Sequence, residues 1–280
     1  MASDPRKAPL ARIALIGVTG RMGQAVLRAA PGFPQLLITS AVASAASLAL
    51  GRDAGEVAGL ASTNLAVTSD LTRALADADV AIDFSHAAAT GANVAACRAA
   101  RTPLLIGTTG LDAALEPAID AAAGEIALLV APNTSIAVAL LAELVRQSAQ
   151  ALPASFDIDV LELHHRMKRD APSGTALTLG RAAASARGLP APAGLTLSPR
   201  EGGDQGRPDG QIGVTSIRAG DIVGEHTVLF SGPGEQLALT HRASDREIFA
   251  RGALTAALWL MSRPPGRYSM RDFIGSKTLS

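Results

Sequence analysis

Between Glu162 and Leu177 the chain reads Glu-Leu-His-His-Arg-Met-Lys-Arg-Asp-Ala-Pro-Ser-Gly-Thr-Ala-Leu, and five groups that are cationic or can become so (His164, His165, Arg166, Lys168, Arg169) fall within six positions. Such a cluster is a trap for a small anion. Ser173 follows it as a helix N-cap, so Gly174 and Thr175 present helix-start N–H groups that could hold a carboxylate or phosphate with no side chain in the way at the glycine. Histidine titrates near neutral pH and lysine carries a proton, so His164 or Lys168 could act as a proton donor during catalysis. A metal is not expected: the nearby acids are Glu162 and Asp170, adjacent histidines point apart on a strand, and no cysteine or third histidine stands at ligand spacing.

These groups need a strand before them and a helix after them. Phe156 to Leu163 alternates apolar and acidic residues and then turns more apolar, as a strand with one buried face does. From Gly174 to about Gly188 the chain is alanine-rich and ends on a good stop residue, which predicts a helix.

A second chemistry-bearing stretch lies near the start. Leu10 to Ile16 is a short apolar run that ends in Gly17-Val18-Thr19-Gly20-Arg21-Met22-Gly23 and passes into a helical pattern to about Ala30. Strand, glycine-rich turn and helix in that order open a dinucleotide-binding unit, where the glycines permit the tight turn and let a pyrophosphate approach the helix N-terminus. Strands are expected at about Gln35–Val42, Leu65–Thr68, Val80–Phe84, Pro103–Ile106 and Ile126–Val130. Helices from Asp70, up to Ala100 and over about Leu111–Ala123 separate them, so the sheet is parallel and doubly wound. Ligands of such sheets sit at the carboxyl ends of the strands. The turns Asp83–His86, Gly107-Thr108-Thr109-Gly110 and Ala131-Pro132-Asn133-Thr134 are therefore expected to line the nicotinamide half of a crevice. A carboxylate after the second strand usually holds the adenosine ribose. Here the sequence is Ala41-Val42-Ala43-Ser44-Ala45 and the first acid is Asp53, which removes repulsion against a 2′-phosphate that Arg21 or Arg52 could reach; NADPH is favoured over NADH.

The helix from Ile136 to about Leu152 leads into a second region. There glycine-rich loops, among them Glu201–Gly206, separate the runs Gln211–Arg218, Ile222–Ser231 and Gln236–His241, which read as antiparallel strands of a mixed sheet. His226 and His241 on these strands read as structural. Ser244-Asp245-Arg246-Glu247 has the form of a capping box, opening a helix whose apolar positions Ile248, Phe249, Leu254, Leu258 and Met261 recur at helical spacing. The expected fold is α/β. An N-terminal Rossmann-like doubly wound domain, 10–135, is completed by 244–280, and a smaller α+β domain with a mixed sheet spans 136–243.

At 48% hydrophobic residues the chain should be globular, and its 25 basic and 25 acidic residues cancel, which argues against a nucleic-acid surface or an anionic membrane as partner. The lone Cys97 cannot form an internal disulfide and sits on a helical pattern, so a buried inert thiol in a reducing cytoplasm is expected. No apolar run reaches the roughly 18 to 20 residues of a membrane span, and the first nine residues read as a polar lead, not a signal peptide.

Taken in order, four stretches resemble the 4-hydroxy-tetrahydrodipicolinate (dihydrodipicolinate) reductase family: the Gly17–Gly23 turn, Gly107-Thr108-Thr109-Gly110, Glu162 through Ala176, and Arg218-Ala219-Gly220-Asp221-Ile222-Val223-Gly224-Glu225-His226. The resemblance implies a homotetrameric, cytoplasmic NAD(P)H-dependent oxidoreductase of lysine and diaminopimelate synthesis. Its substrate would be a cyclic imine bearing two carboxylates, with the second domain binding substrate and forming the tetramer. It implies His164 as acid/base residue, Lys168 as proton donor, and His165, Gly174 and Thr175 as carboxylate ligands. Gly17, Val18, Thr19, Gly20, Arg21, Met22, Gly107, Thr108, Thr109, Ala131, Pro132, Asn133 and Thr134 would bind cofactor. The family's acid and frequent arginine near Ala43 and Ser44 are missing, which bears on the coenzyme. Two other readings fit the first domain alone: another two-domain dehydrogenase, such as an aspartate or homoserine dehydrogenase, and a nonenzymatic NADPH sensor. Neither needs the His-His-x-x-Lys and Ser-Gly-Thr pairing.

Overall fold

The computed structural model describes residues 10–189, 195–197, 207 and 210–278; the expected lead and the Glu201–Gly206 loop lie outside them. The chain divides into two compact units, one running to Ile136 and resuming at Glu247, the other Ala137–Arg246.

The first unit opens with β1 (Ala11–Ile16), α1 (Arg21–Ala29), β2 (Leu36–Val42), a one-turn α2 (Ala54–Val57) and the two-residue β3 (Val67–Thr68). It continues with α3 (Leu71–Ala76), β4 (Val80–Asp83), α4 (Ala87–Ala100), β5 (Leu104–Ile106), α5 (Glu116–Ala123) and β6 (Ala127–Val130). The second unit follows as α6 (Ile136–Ala151), β7 (Asp157–His164), α7 (Gly174–Ala186), β8 (Leu195–Leu197), β9 (Ile212–Arg218), β10 (Gly224–Gly232) and β11 (Glu235–Ala243). The chain then returns to the first unit with α8 (Glu247–Leu260), β12 (Gly266–Tyr268) and α9 (Met270–Thr278).

Seven strands of the first unit pair in the order β12-β6-β5-β4-β1-β2-β3, every pair parallel. Helices cover both faces of a parallel sheet, and so β4 and β5 are buried at every position and carry no polar residue except Asp83. Two expectations needed correction. The helix set at Leu111 is a 3₁₀ turn over Ala113–Leu115 capped by Asp112, and α5 begins only at Glu116, where Pro117 fixes a first-turn backbone angle. The seventh strand, β12, is three residues long behind two prolines and gave no periodicity to read. Cys97 is fully buried on α4, and burial pushes its thiol up to about 12.

In the second unit the order is β11-β10-β7-β9-β8, with β10 antiparallel to both neighbours and β7, β9 and β8 parallel. The sheet is mixed as expected, but β8 was not foreseen, and β9 joins it parallel to β7, not antiparallel. One face is covered by α6 and α7, whose Leu141, Val145, Leu179 and Ala183 pack with Ile158, Val160, Val214 and Phe230.

Candidate active site

The glycine turn of the first unit is shaped by close packing. Gly17 adopts φ +85°, and a Cβ there would lie 2.5 Å from the Phe84 carbonyl oxygen; one on Gly107 would lie 2.1 Å from the Phe84 ring. The turns after β1 and β5 thus both rest on the turn after β4. Gly20 starts α1 without a side-chain cap, and its first turn carries no acid, so the positive end of that helix is open to an anion and fits a pyrophosphate. The predicted cofactor residues divide in two. Gly20, Arg21, Thr109 and Pro132 are exposed, with Gly17, Thr19, Met22 and Asn133 half-buried. Val18, Gly107, Thr108, Ala131 and Thr134 are buried. The Thr108 hydroxyl bonds Asp83, the Thr134 hydroxyl donates to the Phe249 carbonyl (2.6 Å), and so their side chains brace the turns while only backbone remains to meet a ligand. Asp53 is no ribose ligand in waiting. Its carboxylate accepts from the Glu56, Thr63 and Leu65 N–H groups and from Ser62, which holds its pKa far below the usual carboxylate range.

In the second unit the sheet register assembles the titratable residues. On β7 the buried positions alternate as Ile158, Val160, Glu162 and His164, so an apolar stripe ends in an acid and a histidine. Antiparallel pairing sets His226 of β10 opposite Glu162, and parallel pairing sets Arg218 of β9 opposite His164. Glu162, with no exposed surface, is the hub. One oxygen accepts from Arg218 Nη2 (2.8 Å) and the Ser173 N–H (3.1 Å), the other from Arg218 Nη1 (2.9 Å) and His164 Nδ1. Burial works against its ionisation, but Arg218, then the Ser216 side chain, His164 and the Ser173 N–H, outweigh that and hold its pKa at about 2.

Because an ionised carboxylate can only accept, His164 Nδ1 carries the proton and Nε2 is left as the working nitrogen. Burial lowers the pKa of His164, with Lys168 and Arg218 acting the same way and Glu162 opposing them. Gly224 clears space beside Nε2: a Cβ there would stand 3.1 Å from it. Ser173 caps α7 through Ala176 N–H (3.2 Å) while its hydroxyl meets His226 Nε2 (3.0 Å). A Cβ on exposed Gly174 would touch nothing within 4 Å, so the space before the helix start is open. Lys168 Nζ donates to Asp170 (2.8 Å). His165 Nε2 accepts from Arg246 Nη2 (3.2 Å), and these two with Gly220, Asp221 and Val223 line a cleft of about 450 Å³. The expected capping box is displaced: α8 starts at Glu247, leaving exposed Arg246 to face this cleft.

Profiles of the N-terminal and C-terminal parts of dihydrodipicolinate reductase match residues 11–134 and 137–274. The chain belongs to the dihydrodipicolinate reductase family. The 4-hydroxy-tetrahydrodipicolinate reductase of Alkalilimnicola ehrlichii is 49% identical over 264 residues, 94% of this chain and 98% of that one. The enzyme of the same name from Anaeromyxobacter dehalogenans is 45% identical over 266 residues, 95% and 98% of the two chains. In fold, the dipicolinate-bound dihydrodipicolinate reductase of Paenisporosarcina sp. TG-14 superposes with a TM-score of 0.75 at 23% identity, covering 93% of this chain and 97% of that one.

Family membership makes the chain an oxidoreductase and explains why basic residues and a helix start crowd one end of β7. Sequence reasoning singled out His164, His165, Lys168, Gly174 and Thr175, and the structure brings them to that end. It passed over Arg246 and treated Arg218 only as part of a motif. It also read His226 as structural; the histidine lies in the cluster, where its Nε2 meets the Ser173 hydroxyl. Glu162, His164 and His226 do converge within 4.8 Å, a grouping the spacing argument against a metal did not foresee. Arg218 already holds both oxygens of that carboxylate, which is a poor setting for a cation.

Proposed function

We propose that this chain reduces 4-hydroxy-tetrahydrodipicolinate to tetrahydrodipicolinate with loss of water, in lysine and diaminopimelate synthesis. The single observation that carries the reading is the convergence of His164 and the start of α7 on the buried Glu162, with the Lys168 ammonium close enough to lower the pKa of His164. It joins a proton donor and an acid/base nitrogen to an anion-binding helix end, which neither a sensor nor a general dehydrogenase requires. Gly174 and Thr175 N–H with His165 and Arg246 bind the carboxylates and favour the electron-poor conjugated imine left when the ring loses its hydroxyl. His164 Nε2 handles the proton of that elimination. NAD(P)H, when bound at the Gly17–Met22 turn, supplies hydride to the carbon that carried the hydroxyl. Lys168 then protonates the neighbouring carbon of the resulting enamine, which restores the imine.

NADPH is the favoured coenzyme, supported by the exposed Arg21, by Ala43 and Ser44 in place of an acid, and by the full engagement of Asp53. A cytoplasmic homotetramer is part of the same reading. Its support is that β11 is an exposed edge strand, that Leu140, Leu144, Ile217 and Leu237 of the second unit are exposed, and that no helix among the described residues is long and apolar enough to cross a membrane. The test is loss of absorbance at 340 nm with NADPH and then NADH, with substrate made in situ from pyruvate and aspartate semialdehyde by the preceding synthase. Oxidation that requires the synthase, faster with NADPH, is expected; NADPH binding without oxidation would favour the sensor.

Gly174→Ala separates folding from binding. The methyl meets nothing in the free protein, and alanine in a first helical turn is at least as stable as glycine, so the melting profile should be unchanged or slightly raised. A carboxylate pressed on that backbone is obstructed instead. KM for the substrate and the inhibition constant of pyridine-2,6-dicarboxylate should rise about tenfold, the weight of one hydrogen bond to a charged group. Unchanged constants would remove Gly174 from the pocket.

A further inference from the structure

Both oxygens of Glu162 are spoken for, and by groups from three separate segments. His164 lies two residues on along β7, Ser173 begins α7, and Arg218 ends β9. Four donors meet four lone pairs, so the carboxylate is saturated and has nothing left for a ligand. With no exposed surface it cannot touch substrate either. A buried acid that meets neither solvent nor substrate, placed where β7 would otherwise continue an apolar stripe, breaks the local pattern in favour of the site.

We propose that Glu162 is a positioning residue for the reaction: one carboxylate, clamped by Arg218, fixes the tautomer of His164 and anchors the start of α7, so the acid/base nitrogen and the anion-binding N–H groups are set from a common point. The inference rests on the function proposed above for those two elements. Charged and titratable groups around the pair are Arg218 from β9, His226 from β10, and Lys168 and Asp170 from the loop after β7. Among them only Glu162 accepts from His164 Nδ1, so it alone selects Nε2 as the free nitrogen.

Glu162→Gln makes the idea testable because glutamine keeps the shape and loses the symmetry. In either orientation its amide NH₂ faces one N–H of Arg218, and with it either the Ser173 N–H or His164 Nδ1. A backbone donor cannot become an acceptor, whereas imidazole can by moving its proton. The substitution should therefore turn His164 to the Nε2–H tautomer. Turnover should fall about 100-fold, the lower end of what a wrong histidine tautomer costs an acid/base enzyme, and the pH profile of kcat should change shape while the NADPH Kd holds. Long-range ¹H–¹⁵N spectra of the imidazoles, five in this chain, read the tautomer directly. A Glu162→Gln protein that binds NADPH and keeps the normal turnover, pH profile and tautomer overturns the proposal. So does an Nε2–H tautomer of His164 in the unaltered protein, a measurement that stands even where the variant does not fold. Should the unaltered protein oxidise no NADPH at all, the reaction is wrong while the tautomer still reports on Glu162, so the two failures are distinct.

Discussion

Lys168→Ala is expected to lower kcat by about 10²- to 10⁴-fold, the range for a positioned proton donor, and to leave the NADPH Kd where it was. Lys168 lies in the second unit, where its Nζ is held by Asp170, and the glycine turn belongs to the first. Its loss removes a proton source and one cation from the anion trap, so KM should rise as well, but by less than kcat falls. Lys168→Arg sharpens the point. Arginine keeps the charge yet does not release its proton near neutral pH, so KM should recover while kcat does not. Measuring both constants with saturating NADPH decides the matter. Turnover that survives both substitutions takes Lys168 out of the mechanism and leaves His164 as the proton donor.

What the chain revealed before folding follows from how local each signal is. The Gly17 turn, the β/α alternation to Val130 and the Ser173 cap are set by neighbours in sequence, and each was legible. The hub was not. Glu162, Arg218 and His226 meet only because β9 and β10 flank β7 in a particular register, and pairing between strands more than fifty residues apart leaves no trace in periodicity. Glu162 could have been suspected from its place on the apolar side of an alternating strand, since an acid there needs buried partners. Arg246 was hidden for a different reason. The capping-box pattern Ser244–Glu247 assigned it to a helix, whereas α8 starts one residue later. Asp53, the first acid after the second strand, is consumed by hydrogen bonds within its own loop, an engagement that composition and spacing do not display.

Acid should loosen the second unit in two stages, and the first should begin well above the carboxylate range. Burial, with His164 adding to it, pushes His226 down to about 4 from an ordinary 6.5. The folded state therefore holds fewer protons on this group than the unfolded state does between those values. Stability from His226 is complete above pH 6.5, drains as the pH falls towards 4 and changes no further below, a loss of about 3 kcal/mol. His164 and His241, both lowered mainly by burial, drain in the same direction. Glu162 takes over lower down: with a folded pKa of about 2 against 4.5, its contribution is present above pH 4.5 and is lost towards pH 2. Two units share this chain, so a single melting temperature would blend them; hydrogen exchange of the β7 and β10 amides reports on the second unit alone. Protection there should fall between pH 6.5 and 4, after correction for intrinsic exchange, while β4 and β5 of the first unit change less. His226→Gln can still pair with the Ser173 hydroxyl, as donor or acceptor, but cannot titrate, so its protection should be flatter across that interval. Parallel curves for the two proteins would mean that His226 takes up its proton without cost, and that Ser173 and the start of α7 do not depend on its neutral form.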